Sequence, residues 1–135
     1  MNIIIMGAGR VGAQVADILT SDEHEIVVMD TESENFLFLP KKLRETEGAT
    51  VLGDGTLEED LIKAGIEKAK VFVAVDQKDN KNALASQKAL HIFKVDQVIC
   101  RIGDPNKQEV YSQPGLTTIS STGLTANMIL KSLNG

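Results

Sequence analysis

An α/β fold, a doubly wound parallel sheet covered by helices on both faces, is predicted by three observations. Short β-branched runs alternate with amphipathic helical stretches from one end of the 135 residues to the other. Two of the runs, Ile3-Ile4-Ile5 and Val71-Phe72-Val73-Ala74-Val75, are apolar without alternation, as strands buried on both faces are. A glycine-rich turn, Gly7-Ala8-Gly9-Arg10-Val11-Gly12, joins the first of these to a helical stretch. No internal repeat, low-complexity stretch or linker interrupts the series, so a single domain over 1–135 is expected, with the Rossmann-like strand order 3-2-1-4-5-6.

Six strand-helix units are read along the chain. The first strand covers 2–6, and its helix covers 10–21 with Val11, Val15, Ile18 and Leu19 on one face. The second strand, 25–30, precedes a helix that starts behind Thr31 or Ser33 and ends near Glu47-Gly48, where glycine suits a left-handed residue. Pro40 lies inside that helix and predicts a kink or a late start, because it removes a backbone donor. The third strand, 50–52, runs through Gly53-Asp54-Gly55-Thr56 into a short helix carrying Leu57, Leu61 and Ile62, which Gly65 stops. The fourth strand covers 71–75 and its helix 79–93. The fifth covers 97–102, and Asp104-Pro105 opens its helix with proline in the first turn. The sixth strand, 117–119, is followed by a last helix over 124–133. Leu124, Met128, Ile129 and Leu133 give that helix an apolar stripe, suited either to covering its own sheet or to meeting a second subunit.

Composition narrows the function classes. With 42% hydrophobic and 24% charged residues the chain reads as an ordinary globular domain, and its apolar runs are too short to span a bilayer. The N-terminal apolar run passes straight into the glycine turn and not into a cleavage site, so it reads as a strand. A net charge of -5, with no basic cluster interleaved with aromatics, argues against nucleic acid. The single cysteine, Cys100, sits in an apolar run and reads as a buried thiol. His24 and His91 have no nucleophile or metal-ligand set beside them, so neither a catalytic residue nor a metal site is predicted.

The glycine turn carries the strongest functional signal. In a strand-turn-helix setting Gly7 permits the tight turn, Gly9 lets backbone N–H groups approach a diphosphate, and Gly12 allows close packing of helix on strand. The helix N-terminus adds a dipole that favours an anion. Asp30, about 20 residues further on at the end of the second strand, suits the hydroxyls of an adenosine ribose and opposes a 2′-phosphate. Asp54 in the turn after the third strand suits either the adenine amino group or, with Thr56, a helix cap. Arg10 and Arg101 are candidates for bonds to phosphate oxygens.

Taken together, residues 3–12, 24–30 and Gly53-Asp54-Gly55-Thr56 resemble the TrkA N-terminal, or RCK/KTN, domain of bacterial potassium uptake and potassium channel regulators. The segment Leu61 to Ile66, the strand end Ala74-Val75 followed by Asp79 and Asn82, and Arg101-Ile102 with Asp104-Pro105 extend the likeness over essentially the whole chain. The resemblance implies a cytoplasmic regulatory subunit that binds NAD(H), ATP, ADP or AMP and acts on a membrane potassium transporter or channel. It also implies an assembly of at least two copies, because the last helix crosses to a neighbour in that family. The implied ligand positions are Gly7, Ala8, Gly9, Arg10, Val11, Gly12, Asp30, Thr31, Gly53, Asp54, Gly55, Thr56, Ala74, Val75, Asp76 and Arg101. Asp76 departs from the small or hydroxyl residue of many relatives and would oppose extra phosphate charge. A cofactor domain of an NAD-dependent oxidoreductase is the rival reading, though an acid or base and a substrate pocket would have to come from elsewhere.

Overall fold

A computed structural model of the chain describes residues 1–20 and 22–135. Among them six strands form one parallel sheet: β1 (Asn2–Met6), β2 (Glu25–Asp30), β3 (Thr50–Leu52), β4 (Val71–Ala74), β5 (Gln97–Arg101) and β6 (Leu116–Ile119). Their order is β3-β2-β1-β4-β5-β6, as the alternating pattern predicts. In register, Ile3, Ile4 and Ile5 lie between Ile26, Val27 and Val28 on one side and Val71, Phe72 and Val73 on the other. The two continuous apolar runs thus occupy the sheet centre, where both faces are covered.

The helices divide between those faces. On one, α1 (Arg10–Thr20) and α2 (Lys41–Glu45) bring Ala13, Ala16 and Leu43 onto Ile3, Ile5, Val28 and Val73. On the other, α3 (Glu58–Lys63) and α4 (Asp79–His91) bring Leu61, Ala83, Ala85 and Ala89 onto Ile4, Met6, Phe72 and Val98. Phe72, Ile4 and Ile5 are fully buried, and each such side chain stabilises the fold by roughly 1.5–3 kcal/mol. Cys100 is fully buried too, and burial pushes its thiol up, as suits an inert core residue.

Some element predictions are corrected. The residues that α1 buries are Gly12, Ala13 and Ala16, while Val11 and Ile18 are 44% and 61% exposed. The helix lies so close to the sheet that only small side chains fit beneath it. Its predicted end at Ser21 lies outside the described residues. The second helix is broken in two: a 3-10 helix covers Ser33–Phe38, Leu39 and Pro40 are extended, and α2 follows. Proline permits the restart because its missing N–H is one that the first helical turn leaves unbonded. Gly48 and Gly65 do adopt left-handed φ values of +81° and +90°. In α3 only Leu61 is buried, and Leu57 and Ile62 stand outside.

The chain closes with α5 (Pro105–Tyr111) and α6 (Ser121–Asn134). Asp104 caps α5 by accepting from the Asn106 amide, and Ser120 caps α6 by accepting from the Gly123 amide. The Ser120 cap starts α6 three residues before the predicted 124. None of its residues is buried, and Leu124, Met128, Ile129 and Leu133 are all more than half exposed. Of the two uses open to the stripe, cover for its own sheet is therefore ruled out.

The glycine turn yields a direct test. A Cβ on Gly12 would coincide with the Gly7 carbonyl oxygen, a backbone atom that cannot yield, whereas a Cβ on Gly9 would meet nothing within 4 Å. Gly12→Ala is expected to lower the unfolding free energy by about 1–3 kcal/mol in urea denaturation, the range for overpacking. Gly9→Ala should change it by less than about 0.5 kcal/mol.

Candidate functional site

Strands of one direction end at one edge, and their C-terminal loops enclose a groove there of about 580 Å³. Its floor is the glycine turn, contributing Gly7, Gly9, Arg10 and Val11. The loop after β2 forms one wall with Asp30, Thr31, Glu32, Asn35 and Phe38. The loops after β4 and β5 form the other with Val75, Asp76, Gln77, Lys78, Lys81 and Arg101. Gly7 turns the chain at φ +111°, and a Cβ there would press on the Asp76 amide nitrogen at 2.8 Å, so glycine permits both the turn and the contact. Ala13 N–H donates to the Gly9 carbonyl, so the amides of α1 before it have no partner inside the helix and lie beside the groove. Neither an acidic residue nor a side-chain cap competes for them in that first turn.

Asp30 is held more tightly than a ligand residue needs to be. Its carboxylate is almost fully buried and accepts from the Ala8 amide at 2.8 Å, the Glu32 amide at 2.8 Å and the Asn35 side-chain nitrogen at 3.2 Å. A carboxylate offers about four acceptor positions, so most of its capacity binds β2 to the glycine turn. It still borders the groove.

The opposite wall is held by an amide. Asn82, on the second turn of α4, is fully buried. Its oxygen accepts from the Asp76 amide at 2.9 Å, and its nitrogen donates to the carbonyls of Asp76 at 2.7 Å and Arg101 at 3.0 Å. Asp79 accepts from the Gly103 amide at 2.8 Å and so binds the loop after β5 to the start of α4. The groove gathers charges of both signs. Arg10, Lys78, Lys81 and Arg101 supply four cations against Asp30, Glu32 and Asp76. Among the described residues the side chains of Arg10, Lys78 and Lys81 have no hydrogen bond or ion pair, which leaves them free for an anion.

The structure brings some of the expected residues together in this groove and sets others apart from it. Gly7, Gly9, Arg10, Val11, Asp30, Thr31, Val75, Asp76 and Arg101 line the groove. Ala8, Gly12 and Ala74 are buried beneath it, as packing residues. Gly53, Asp54, Gly55 and Thr56 do not line it. There Asp54 accepts from both the amide and the hydroxyl of Thr56, at 2.9 and 2.7 Å, and its own amide donates to Asp60. The helix-cap alternative fails as well, since Leu57 occupies the cap position of α3 with no side-chain bond. Gly55 is buried against Met6 and Ala85. The Thr56 hydroxyl holds the Asp54 carboxyl below the ordinary aspartate range, against a push from burial, with the Thr56 amide and the charges of Lys81 and Lys88 assisting. That stabilisation is complete at neutral pH and is lost as pH falls through the lowered value.

Lys78, Lys81, Asn35 and Phe38 were missed. Their common signal was position, since Asn35 and Phe38 lie in the segment after β2 and Lys78 and Lys81 in the segment after β4, both strands that end at the groove. The two histidines lie elsewhere: His24 Nδ1 meets the N-terminal ammonium at 3.3 Å, and His91 Nε2 meets Gln113 at 2.7 Å. Among the described residues no group of three metal-ligating side chains occurs. A second groove, of about 700 Å³, lies at the opposite strand ends around His24, Glu25, Lys42 and Glu47, and holds none of the expected ligand residues.

Comparison with known proteins gives a consistent result. The family model described as "TrkA-N domain" matches residues 3–122. A "Trk system potassium uptake protein TrkA" from Streptomyces coelicolor is 38% identical over 133 residues, which are 98% of this chain and 58% of that protein. Among solved structures, the TrkA-N domain of the inner membrane protein ybaL from Escherichia coli superposes with a TM-score of 0.84 at 21% identity, covering 98% of this chain and 96% of that one. The Kef CTD from Shewanella denitrificans, in AMP-bound form, superposes with a TM-score of 0.73 at 17% identity, covering 99% and 80%. The chain spans less than two thirds of the length of the curated relatives it matches most strongly.

The clamp on Asp30 is open to measurement. Asp30→Ala leaves the Ala8 amide without its acceptor, and urea denaturation is expected to show a loss of about 1–3 kcal/mol, the cost of an unsatisfied buried donor. An unfolding midpoint equal to that of the parent chain would show that the three bonds contribute nothing.

Proposed function

The chain belongs to the TrkA-N domain family, and from that premise we propose that it binds an adenine nucleotide in the groove above β1 and uses the occupancy to regulate a membrane potassium transporter or channel. The observation that carries the reading is the meeting, in one groove, of the open glycine turn, the N-terminus of α1 and four cationic side chains. Backbone amides and a helix dipole favour a phosphate group, and arginine and lysine side chains reinforce it. Asp30 and Asn35 line one end, where an acid at the end of the second strand suits a ribose, and the exposed Phe38 ring beside them offers an apolar surface to a base. The AMP-bound Kef CTD supports the reading as an example of the fold holding an adenine nucleotide.

In this reading the domain works in the cytoplasm, against the inner face of the membrane, and reaches it through the transporter. No helix among the described residues is long and apolar enough to cross a membrane. ATP, ADP, AMP and NAD(H) all present the phosphates that the groove suits.

Two measurements test the proposal. Mass spectrometry of the nucleotide that co-purifies, followed by calorimetry with AMP, ADP, ATP, NAD and NADH, is expected to show ADP bound at least about tenfold more tightly than adenosine, a difference of roughly 1.4 kcal/mol. Equal affinity for ADP and adenosine would overturn the phosphate assignment, and Gly9→Val should abolish the preference by filling the open floor.

Assembly is the second. The stripe on α6 is exposed and covers nothing of its own sheet, so we propose that it meets a neighbouring subunit, and a regulator of a symmetric pore needs linked copies. Light scattering at tens of micromolar, roughly the range of a weak regulatory contact, should show at least a dimer, and Met128→Asp should shift it to monomer. A monomer with and without nucleotide would refute this.

A further inference from the structure

The last helix is attached to the rest of the chain at one end only. None of its 14 residues is buried, and the bonds that secure it involve Ser120, Ser121 and Gly123 at its start. Ser120 Oγ donates to the Gly103 carbonyl at 3.0 Å while accepting from the Gly123 amide at 3.0 Å. Ser121, the first helical residue, accepts from Nε of Arg101 at 3.4 Å. Arg101 is a wall of the nucleotide groove, and its backbone carbonyl is fixed by the buried Asn82. One side chain therefore touches both the groove and the root of α6.

We infer that Ser121 positions the Arg101 guanidinium for a phosphate-bearing ligand, and that the same bond couples occupancy of the groove to the base of α6. The inference rests on the nucleotide reading of the groove. A guanidinium carries five N–H donors, and the Nε bond to Ser121 uses one. The two terminal nitrogens remain for phosphate oxygens, so ligand and serine act on the guanidinium together and do not compete. A long side chain with one hydroxyl partner, at 3.4 Å, is only loosely held. A phosphate at its other end restricts it, and the bond to Ser121 then restricts the first turn of α6. Linkage requires the converse: whatever orders the α6 base also raises affinity for the phosphate ligand. Among the described residues every α6 residue beyond Gly123 is exposed, so a change at the root of the helix is carried to its far end.

The test uses the whole 135-residue chain as parent, Ser121→Ala and Ser121→Thr, with ADP and adenosine as probes. Calorimetry is expected to show that Ser121→Ala weakens ADP by about three- to tenfold, the range of one ordinary hydrogen bond since Ser121 acts through Arg101 and not on the ligand, while adenosine is unaffected and Ser121→Thr binds both like the parent. Hydrogen exchange of the 121–126 amides should slow with saturating ADP in the parent and in Ser121→Thr but not in Ser121→Ala. Parent-like ADP binding by Ser121→Ala, equal weakening of ADP and adenosine, or α6 amides that ignore bound ADP would each overturn the inference while leaving the groove reading intact. Failure of the parent chain to bind ADP would instead remove the groove reading, and this inference with it.

Discussion

The contact between Gly12 and the carbonyl of Gly7 is the constraint on which the rest of the architecture depends. A helix that follows a central strand within a three-residue turn has to cross back over the strand end, and here it does so at the distance of a missing side chain. With that approach made, Ala13 and Ala16 are the largest groups that fit beneath α1, and the valines and isoleucines of its sequence are turned sideways or outward. The same approach aims the first amides of the helix over β1 and leaves open space above Gly9. Fold and site are consequences of one steric fact, which is why changes at two glycines three residues apart differ so much in kind.

Around that turn the loops are closed by short polar side chains bonded to backbone. Asp30 binds the glycine turn, Asp54 closes its own turn on Thr56, Asn82 joins the ends of β4 and β5, and Asp79 holds the loop after β5. Each satisfies backbone groups that a parallel sheet leaves unpaired where its strands end. Rigid loops hold the longer side chains of Arg10, Lys78, Lys81 and Arg101 near fixed points, with the Arg101 guanidinium tied to Ser121. The division of labour is between carboxylates and amides that build the walls and cations that face the groove.

Much of this was legible in the sequence, for definite reasons. Strand positions, the sheet order and the glycine turn follow from patterns with a local cause: continuous apolar runs, alternation with helices, and glycines where a turn or contact forbids a Cβ. The buried stripe of α1 was misread because periodicity counts apolar residues, whereas close packing selects small ones. The break at Leu39-Pro40 was half visible, since proline marks a disturbance but not whether a helix bends or restarts. For the Gly53 to Thr56 turn the residue types were right for a ligand and equally right for a turn closed on itself, and only packing against Met6 and Ala85 distinguishes the two. Lys78 and Lys81 were overlooked because a lysine early in a helix resembles any solvated lysine until the neighbouring strand end is placed.

One rim of the sheet is its shortest strand: β3 has three residues, against six in β2 and five in β1, while β6 at the other rim has four, as β4 does in the interior. Exposed strand edges are where chains recruit one another by extending a hydrogen-bonded ladder, and short edges offer few rungs. Polymerisation into cross-strand fibres is thereby disfavoured by geometry, most of all at β3. Association through the projecting α6, as proposed above, would not depend on that edge.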